Sequence, residues 1–303
     1  MDVGAKASEL LSGLIDGSIT SIDQIKLPAV LDWCIQMPPL PQPICLTLAK
    51  LVFRAIQTFE LPKPIVKIIA SEKFVQFLND LILNETDDAE SISSALNIFV
   101  FLAGENNLTE KNRQKFFIDT KHKTLHQLTK RILTFVEAAN VDLQKATMIC
   151  LITLVLSIPQ NTFNPIIPAI LVHDYFNAFF NSFLTLFNES TPFTSDFLLR
   201  IVSVPENCTQ FFNGTNTIQV VVDMLLRRIG EVEYNDDEAF TLLMGLDGFL
   251  QNSDYKKFEK PRYKEDEIRA LLSDLRKSPE VPKDTKVLAG SVLAHWDRAI
   301  EKK

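Results

Sequence analysis

Apolar residues recur at helical spacing in nearly every segment of this chain, and only short breaks separate one segment from the next. The segment 71–85 is typical, because it places on one helical face Phe74, Phe77, Leu78, Leu81 and Ile82. No segment shows the period-two alternation of a half-buried strand. Glycine, which strand-rich folds use in their turns, is scarce at 9 of 303 residues. The pattern therefore predicts an all-α fold.

Two segments near the C-terminus carry the same signal. The segment 215–231 is expected to be capped by Asn216 or Thr217 and to end at Gly230, since these residue types favour helix ends. In the segment 236–252, helical spacing groups on one face Phe240, Leu243, Met244 and, one turn on, Asp247. Beside this face lie Leu246, Phe249 and Leu250.

The breaks between the predicted helices are short, and most contain proline. The clearest lie at 37–43, 60–64, 104–107, 157–168, 190–195 and 277–283. Many helices with short connections predict a stacked array, for which the leading architecture is an armadillo/HEAT-like α-solenoid in a single domain, 1–303. No sequence repeat of about 34 or 42 residues is visible, so its repeats would be degenerate. A globular, non-repeating helical domain is the alternative.

The longest uncharged run lies between Lys145 and His173, and its most apolar part is ATMICLITLVLSI. Prolines interrupt the run, and this part is too short to span a bilayer. The sequence therefore predicts a fully buried helix and no membrane insertion.

The net charge and the cysteines of the chain limit which functions and which cell compartment are expected for it. The formal net charge is −7, which disfavours binding to nucleic acid or to an anionic membrane. The four cysteines form no CxxC pair and are expected to be free thiols of a reducing compartment, most of them buried. The N-terminus shows no secretory signal, so a cytoplasmic protein is expected.

The search for catalytic chemistry finds no specific constellation. His122 and His126 share a helical face, but a third ligand is missing and Lys121 and Lys123 would repel a cation. Two surface histidines are the preferred interpretation. Phosphate-binding glycine loops and nucleophile-elbow motifs are absent from the sequence, so no cofactor, no metal and no enzymatic activity are expected.

Basic residues cluster in the stretch 255–264 of this acidic chain. They are Lys256, Lys257, Lys260, Arg262 and Lys264. A weaker cluster lies at 121–131. An acidic protein partner is the functional interpretation, and an ordinary solvated loop is the alternative.

The stretch 261–275 carries the signals of a capped amphipathic helix. Pro261 marks its entry, and the first turn contains three carboxylates, which favour the positive end of a helix dipole. An apolar stripe follows, formed by Ile268, Leu271, Leu272 and Leu275. We expect these side chains to close the hydrophobic end of the helical array.

The order of elements in the last third is specific. A Pro-Glu step at 205–206 precedes Phe211, Phe212 and Asn213, and a long apolar helix then ends in Arg227 and Arg228. A Tyr-Lys-x-Asp-Glu-Ile block starts one helix later, at residue 263, and a final helix carries a tryptophan near its end. Over residues 194–300 the chain resembles the C-terminal leucine-rich armadillo domain of the WISH/DIP/SPIN family. No segment of the sequence resembles the SH3 domain or proline-rich tail of the animal members, so the armadillo module alone is expected.

This resemblance implies a function. Family members bind and activate the actin-related protein 2/3 complex without a pre-existing mother filament, and so nucleate linear, unbranched actin filaments. It implies localisation at the actin cortex or at endocytic actin patches, with actin as an indirect partner. The candidate contact residues are Lys256, Lys257, Arg262, Lys264, Arg269, Arg227 and Arg228.

Two other hypotheses remain open. A general armadillo scaffold would bind a different partner, such as a GTPase or a formin-type regulator, and would not affect actin assembly. A helical enzyme would need a pocket in which polar side chains converge.

Overall fold

A computed structural model describes residues 2–35, 40–84, 88–104, 122–160, 162–233, 237–252, 255–257 and 262–301. In these ranges the regular secondary structure is entirely helical, which confirms the predicted all-α class. The chain divides into two compact units, residues 1–179 and 180–303. The expectation of one domain stays a prediction, as does the armadillo-type repeat.

Unit 1 contains ten helices in its described part, and an eleventh helix carries the boundary between the units. They are α1 (Val3–Ile15), α2 (Ile22–Ile25), α3 (Leu27–Cys34), α4 (Gln42–Thr58), α5 (Lys63–Ile69), α6 (Glu72–Leu83), α7 (Ala89–Ala103), α8 (His122–Leu133), α9 (Val141–Ser157), α10 (Ile166–Leu171) and the boundary helix α11 (Phe176–Asn188).

The described part of unit 2 contains six further α-helices and one 3-10 turn. They are α12 (Thr194–Val202), α13 (Pro205–Phe211), α14 (Thr215–Glu231), α15 (Asp237–Leu250), the 3-10 turn Tyr255–Lys257, α16 (Glu265–Lys277) and α17 (Lys283–Glu301).

The helices of unit 1 form two layers. In one layer α1, α4, α7 and α9 pack side by side in chain order. In the other layer α3 packs on α6, and α6 packs on α8. Contacts of α3 with α4, α6 with α7 and α8 with α9 join the layers. Helices α4, α7 and α9 thus each bury one face against neighbours in their own layer and one against the opposite layer.

Helix α9 is the predicted buried helix, and the structure confirms it. Its buried residues, from Leu143 to Ser157, cover most of its circumference, and Ile149 and Leu156 are half-buried. Hydroxyl groups on α9 donate to the backbone carbonyl one turn earlier; Thr147 does so to Leu143 at 2.7 Å, and Ser157 to Thr153 at 2.7 Å. A buried hydroxyl without such a bond would cost free energy.

No helix in the described ranges is both long and apolar enough to cross a membrane.

Helix α15 is the centre of unit 2. It packs against α12, α14 and α17, and α17 in turn packs against α16. The predicted face of α15 is partly wrong. Leu243 is buried, but Phe240 and Met244 are exposed at 41% and 38%. The residues that the pattern placed beside that face, Leu246, Phe249 and Leu250, are buried together with Leu242, because three neighbouring helices surround α15.

A cluster of phenylalanines fills the core of unit 2 beside α15. Phe211 packs edge-on against Phe197 and Phe183, and Phe212 packs edge-on against Phe249 at a centroid distance of 5.3 Å. The Phe-Phe pair that contributes to the family resemblance, Phe211 and Phe212, therefore belongs to the hydrophobic core.

The predicted ends of α14 are wrong. The helix begins at Thr215 after Gly214, which has a φ of 91° and supplies no side-chain cap. It continues through Gly230 to Glu231. Packing thus carries the helix past a residue that often ends helices.

Helix α16 follows its prediction closely. Glu265, Asp266 and Glu267 occupy its first turn, and Ile268, Leu272 and Leu275 are buried, while Leu271 is half-buried. The helix starts after Lys264, whose φ of 53° lies in the left-handed region. Pro261 lies outside the described residues.

Helix α12 packs closely against α15 at two glycines of α15. A Cβ at Gly248 would lie 2.8 Å from Cγ2 of Val202 and 3.1 Å from its carbonyl oxygen, whereas a Cβ at Gly245 would lie 3.5 Å from Leu198. We expect Gly248→Ala to lower the free energy of unfolding by about 1 kcal/mol, because overpacking outweighs the gain in helix propensity. The matched control Gly245→Ala should be neutral or stabilising by up to about 1 kcal/mol. Equal effects in urea unfolding would contradict this packing.

Candidate protein-binding surface

The seven basic residues singled out in the sequence do not form one patch. Arg228 and Arg262 are buried, with 1% and 4% exposed. This corrects their assignment as contact residues, because a buried guanidinium cannot reach a partner. Arg227, Lys264 and Arg269 are partly exposed.

Arg228 holds four helix ends together. Its guanidinium donates to the carbonyl of Phe187 at the end of α11, at 2.9 Å, and lies 4.5 Å from the ring centroid of the same residue. It also donates to Glu238 at the start of α15, and it lies 3.5 Å from the hydroxyl of Thr194 at the start of α12. Burial lowers the pKa of Arg228. An arginine nevertheless stays cationic at neutral pH, so Glu238 supplies the counter-charge.

Arg262 stabilises the entry to α16. Its backbone N–H donates to the carboxylate of Glu265 at 3.1 Å. Just before it in the chain, Tyr255 is fully buried and donates its hydroxyl to the carbonyl of Tyr263 at 2.9 Å. Lys256 is half-buried in the same 3-10 turn. The basic stretch is thus partly an anchored turn, and Lys260 and the side chain of Lys257 fall outside the described residues.

One exposed surface does bring predicted residues together, and we call it the α14–α16 face. It consists of Val220, Asp223, Arg227, Tyr263, Lys264 and Glu267. Asp223 is its centre: it accepts a hydrogen bond from the hydroxyl of Tyr263 at 3.1 Å, and the amine of Lys264 lies 3.2 Å from it. The amine of Lys264 also lies 3.0 Å from Glu267. These two carboxylates raise the pKa of Lys264, so this amine stays charged.

The other residues of the face continue the exposed side of α14. Arg227 donates to the side-chain oxygen of Asn188 at 2.6 Å and to its carbonyl at 3.0 Å. Val220 adds an apolar side chain that is 45% exposed. The face therefore offers an aromatic ring, a valine and charges of both signs in fixed positions.

Arg269 joins α16 to α17. It lies 2.8 Å from Asp297 and 3.3 Å from Glu265, and its guanidinium stacks 4.9 Å from the ring of Trp296. Trp296 is buried beneath it. These contacts make Arg269 mainly a structural link between the two helices.

Sequence reasoning missed the acidic partners of these cations. No sequence motif marks these acidic residues, which are Asp223, Glu238 and Asp297. Glu238 is close in the chain to its cation, Arg228, whereas the other two are far in the chain from theirs. His295 likewise pairs with Asp247, 48 positions earlier, at 3.3 Å. Only helix packing makes such residues neighbours.

The histidine pair on α8 gains no support as a metal site. No group of three or more potential ligands from histidine, cysteine, aspartate and glutamate comes together among the described residues. The side chain of His122 falls outside them.

The four cysteines are free thiols, and three are buried. Burial raises the pKa of Cys208 to about 11 and also raises the pKa of Cys34 and Cys150. Cys45 is half-buried, and burial raises its pKa as well.

A thiol reagent should therefore distinguish Cys45 from the others. At about pH 7.5, a maleimide should modify Cys45 slowly and leave the three buried thiols intact until the chain unfolds, because the thiolate is the reactive form. Mass spectrometry after limited labelling measures this. A Cys45→Ser variant should lose the native-state reaction, and early labelling of Cys150 would contradict the described core.

Removing the buried cation should unfold unit 2 more readily. We expect Arg228→Ala to lower the free energy of unfolding by about 3 kcal/mol, because it leaves Glu238 and the Phe187 carbonyl without their partner. The neighbour Arg227→Ala is the matched control and should cost about 0.5 kcal/mol or less, since its side chain is exposed. Similar losses for both in thermal or urea unfolding would contradict this difference.

Comparisons with known proteins were made for the whole chain. No protein-family model matches it, and no curated protein matches it. Among solved structures, it is similar to the crystal structure of an engineered protein from the Northeast Structural Genomics Consortium. The two chains are 14% identical, with 89% of this chain and 97% of the other covered and a TM-score of 0.46.

Proposed function

We propose that this chain acts by binding another protein through the α14–α16 face, and that it catalyses no reaction. Supporting this is the cluster in which Tyr263 and Lys264 both contact Asp223 of α14. The cluster fixes polar, charged and aromatic groups on an exposed surface before any partner arrives. Such preorganisation lowers the entropy cost of association.

The partner we propose is the actin-related protein 2/3 complex. Two segments of the resemblance to the WISH/DIP/SPIN family, the long apolar helix and the Tyr-Lys-x-Asp-Glu-Ile block, are α14 and the start of α16. Their exposed residues meet in the α14–α16 face, which supports a shared role. The chain would then activate the complex without a mother filament and nucleate linear filaments at the actin cortex or at endocytic patches in the cytoplasm.

Activation by binding requires a difference in affinity. The chain must bind the active arrangement of the complex more tightly than the inactive one, since equal affinities would shift no equilibrium. Rigid side chains suit this task, because they fit one arrangement of a partner better than another.

The test is actin assembly with the purified actin-related protein 2/3 complex and no filament seeds. We expect the chain to shorten the lag in a dose-dependent way, and microscopy to show linear filaments capped by the complex. Charge reversal in the double variant Arg227→Glu/Lys264→Glu should weaken binding and activation by about tenfold or more, which is ~1.4 kcal/mol.

Lys283→Glu provides the control. Lys283 is an exposed lysine of unit 2 at the first position of α17, and it does not belong to the α14–α16 face. This variant should behave as the unaltered chain does. Unchanged assembly together with no binding in a pull-down would contradict the proposal and leave the general scaffold with a different partner.

A further inference from the structure

Unit 1 contains a groove of about 580 Å³ across the layer formed by α1, α4, α7 and α9. On α4 it is lined by Lys50, Phe53, Arg54 and Gln57, which follow the i, i+3, i+4, i+7 spacing of one helical face. The lining residues of α7 and α9 follow the same spacing. The groove therefore runs across the helices, with one face of each helix as its floor.

We propose that this groove binds an acidic linear segment of a partner protein, in an extended conformation that crosses the four helices. The proposal concerns unit 1 and is independent of the α14–α16 face in unit 2.

The charges of the groove favour an acidic occupant. The amine of Lys50 lies 2.8 Å from Glu90 and 3.1 Å from Asp88, so the charge of Glu90 is already compensated within the protein. Arg54 donates to the neutral amide of Gln57 at 3.3 Å. Within the described residues, neither Arg54 nor Lys145 forms an ion pair. Both remain available to carboxylates of a ligand. The lining also contains the exposed carboxylate of Asp142, so its three cations exceed its two carboxylates by one, in a chain whose net charge is −7.

Amide side chains of the groove suit a peptide backbone, which alternates donors and acceptors. Asn97 of α7 donates to the carbonyl of Ser93 at 2.9 Å, so its amide oxygen is the atom it can offer a ligand. Asn140, just before α9, accepts from the backbone N–H of Leu143 at 2.9 Å, so it can offer its NH₂ group. Neighbouring helices thus present an acceptor and a donor.

Apolar side chains of the groove can anchor the ligand. Ile15 of α1 is 63% exposed at one end of the layer. Phe53 of α4 and Ile149 of α9 are half-buried in the lining. An extended segment with apolar residues between its carboxylates would cover these side chains and face the cations at the same time.

The length of the segment follows from the helix stack. Four adjacent helices with axes about 9 Å apart span roughly 30 Å, which an extended chain of about nine residues covers. A random library of peptides about 12 residues long is therefore a suitable probe.

The experiment selects phage-displayed peptides from such a library on the immobilised full-length chain. Enriched peptides are synthesised with a fluorescent label, and their affinities are measured by anisotropy. We expect an excess of aspartate and glutamate with apolar residues between them. The double variant Arg54→Glu/Lys145→Glu should bind these peptides at least about tenfold more weakly, since two attractive contacts become repulsive.

The matched control is Lys63→Glu/Lys67→Glu, which reverses two exposed lysines of α5 outside the groove. It should bind the peptides within about twofold of the unaltered chain, because distant exposed charges are screened. Thermal unfolding establishes that both variants are folded. The proposal is overturned if no peptide is enriched, if the enriched peptides are neutral or basic, or if the groove variant binds them as tightly as the control does.

Discussion

Helices that are apolar on more than one face must be covered on more than one side, and this constraint organises both units. In unit 1 it applies to α9, whose buried residues cover most of its circumference and whose buried hydroxyls donate to the helix's own backbone. In unit 2 it applies to α15, which lies against α12, α14 and α17. A helix of this kind is stable only inside an assembly of neighbours, so each unit has to build layers around it.

Arg228 shows how a charge can take part in such a core. Its aliphatic stem and guanidinium are buried at a point where four helix ends meet, and they contact Phe187 and Glu238 there. Carbonyl groups at the end of a helix need hydrogen-bond donors, which the guanidinium supplies. The same contacts hold α14 in place, and a different side of this helix carries Asp223 and Arg227. A structural arginine thus supports the surface to which its neighbour belongs.

The two candidate surfaces differ in electrostatic character. On the α14–α16 face, Lys264 and Asp223 already pair with each other, so a partner would meet a fixed pattern of charges. Such a pattern mainly favours specificity and orientation. In the groove of unit 1, Arg54 and Lys145 form no ion pair within the described residues, so a ligand's carboxylates would gain direct partners. That arrangement favours recognition of a charged linear segment.

The sequence alone determined the helical class, the buried character of α9 and the acidic first turn of α16, because periodicity, length and dipole preference act within one helix. It predicted less well which face of a helix is buried, because the neighbouring helices decide that. Phe240 and Met244 follow the spacing of the core but face solvent, since three packed helices choose the other side of α15. The basic side chains show the same division: Arg227 and Arg228 are consecutive, yet one is exposed and the other is buried against Glu238. Only the tertiary structure separates them, because a position one residue along a helix is turned by about 100° and meets a different environment.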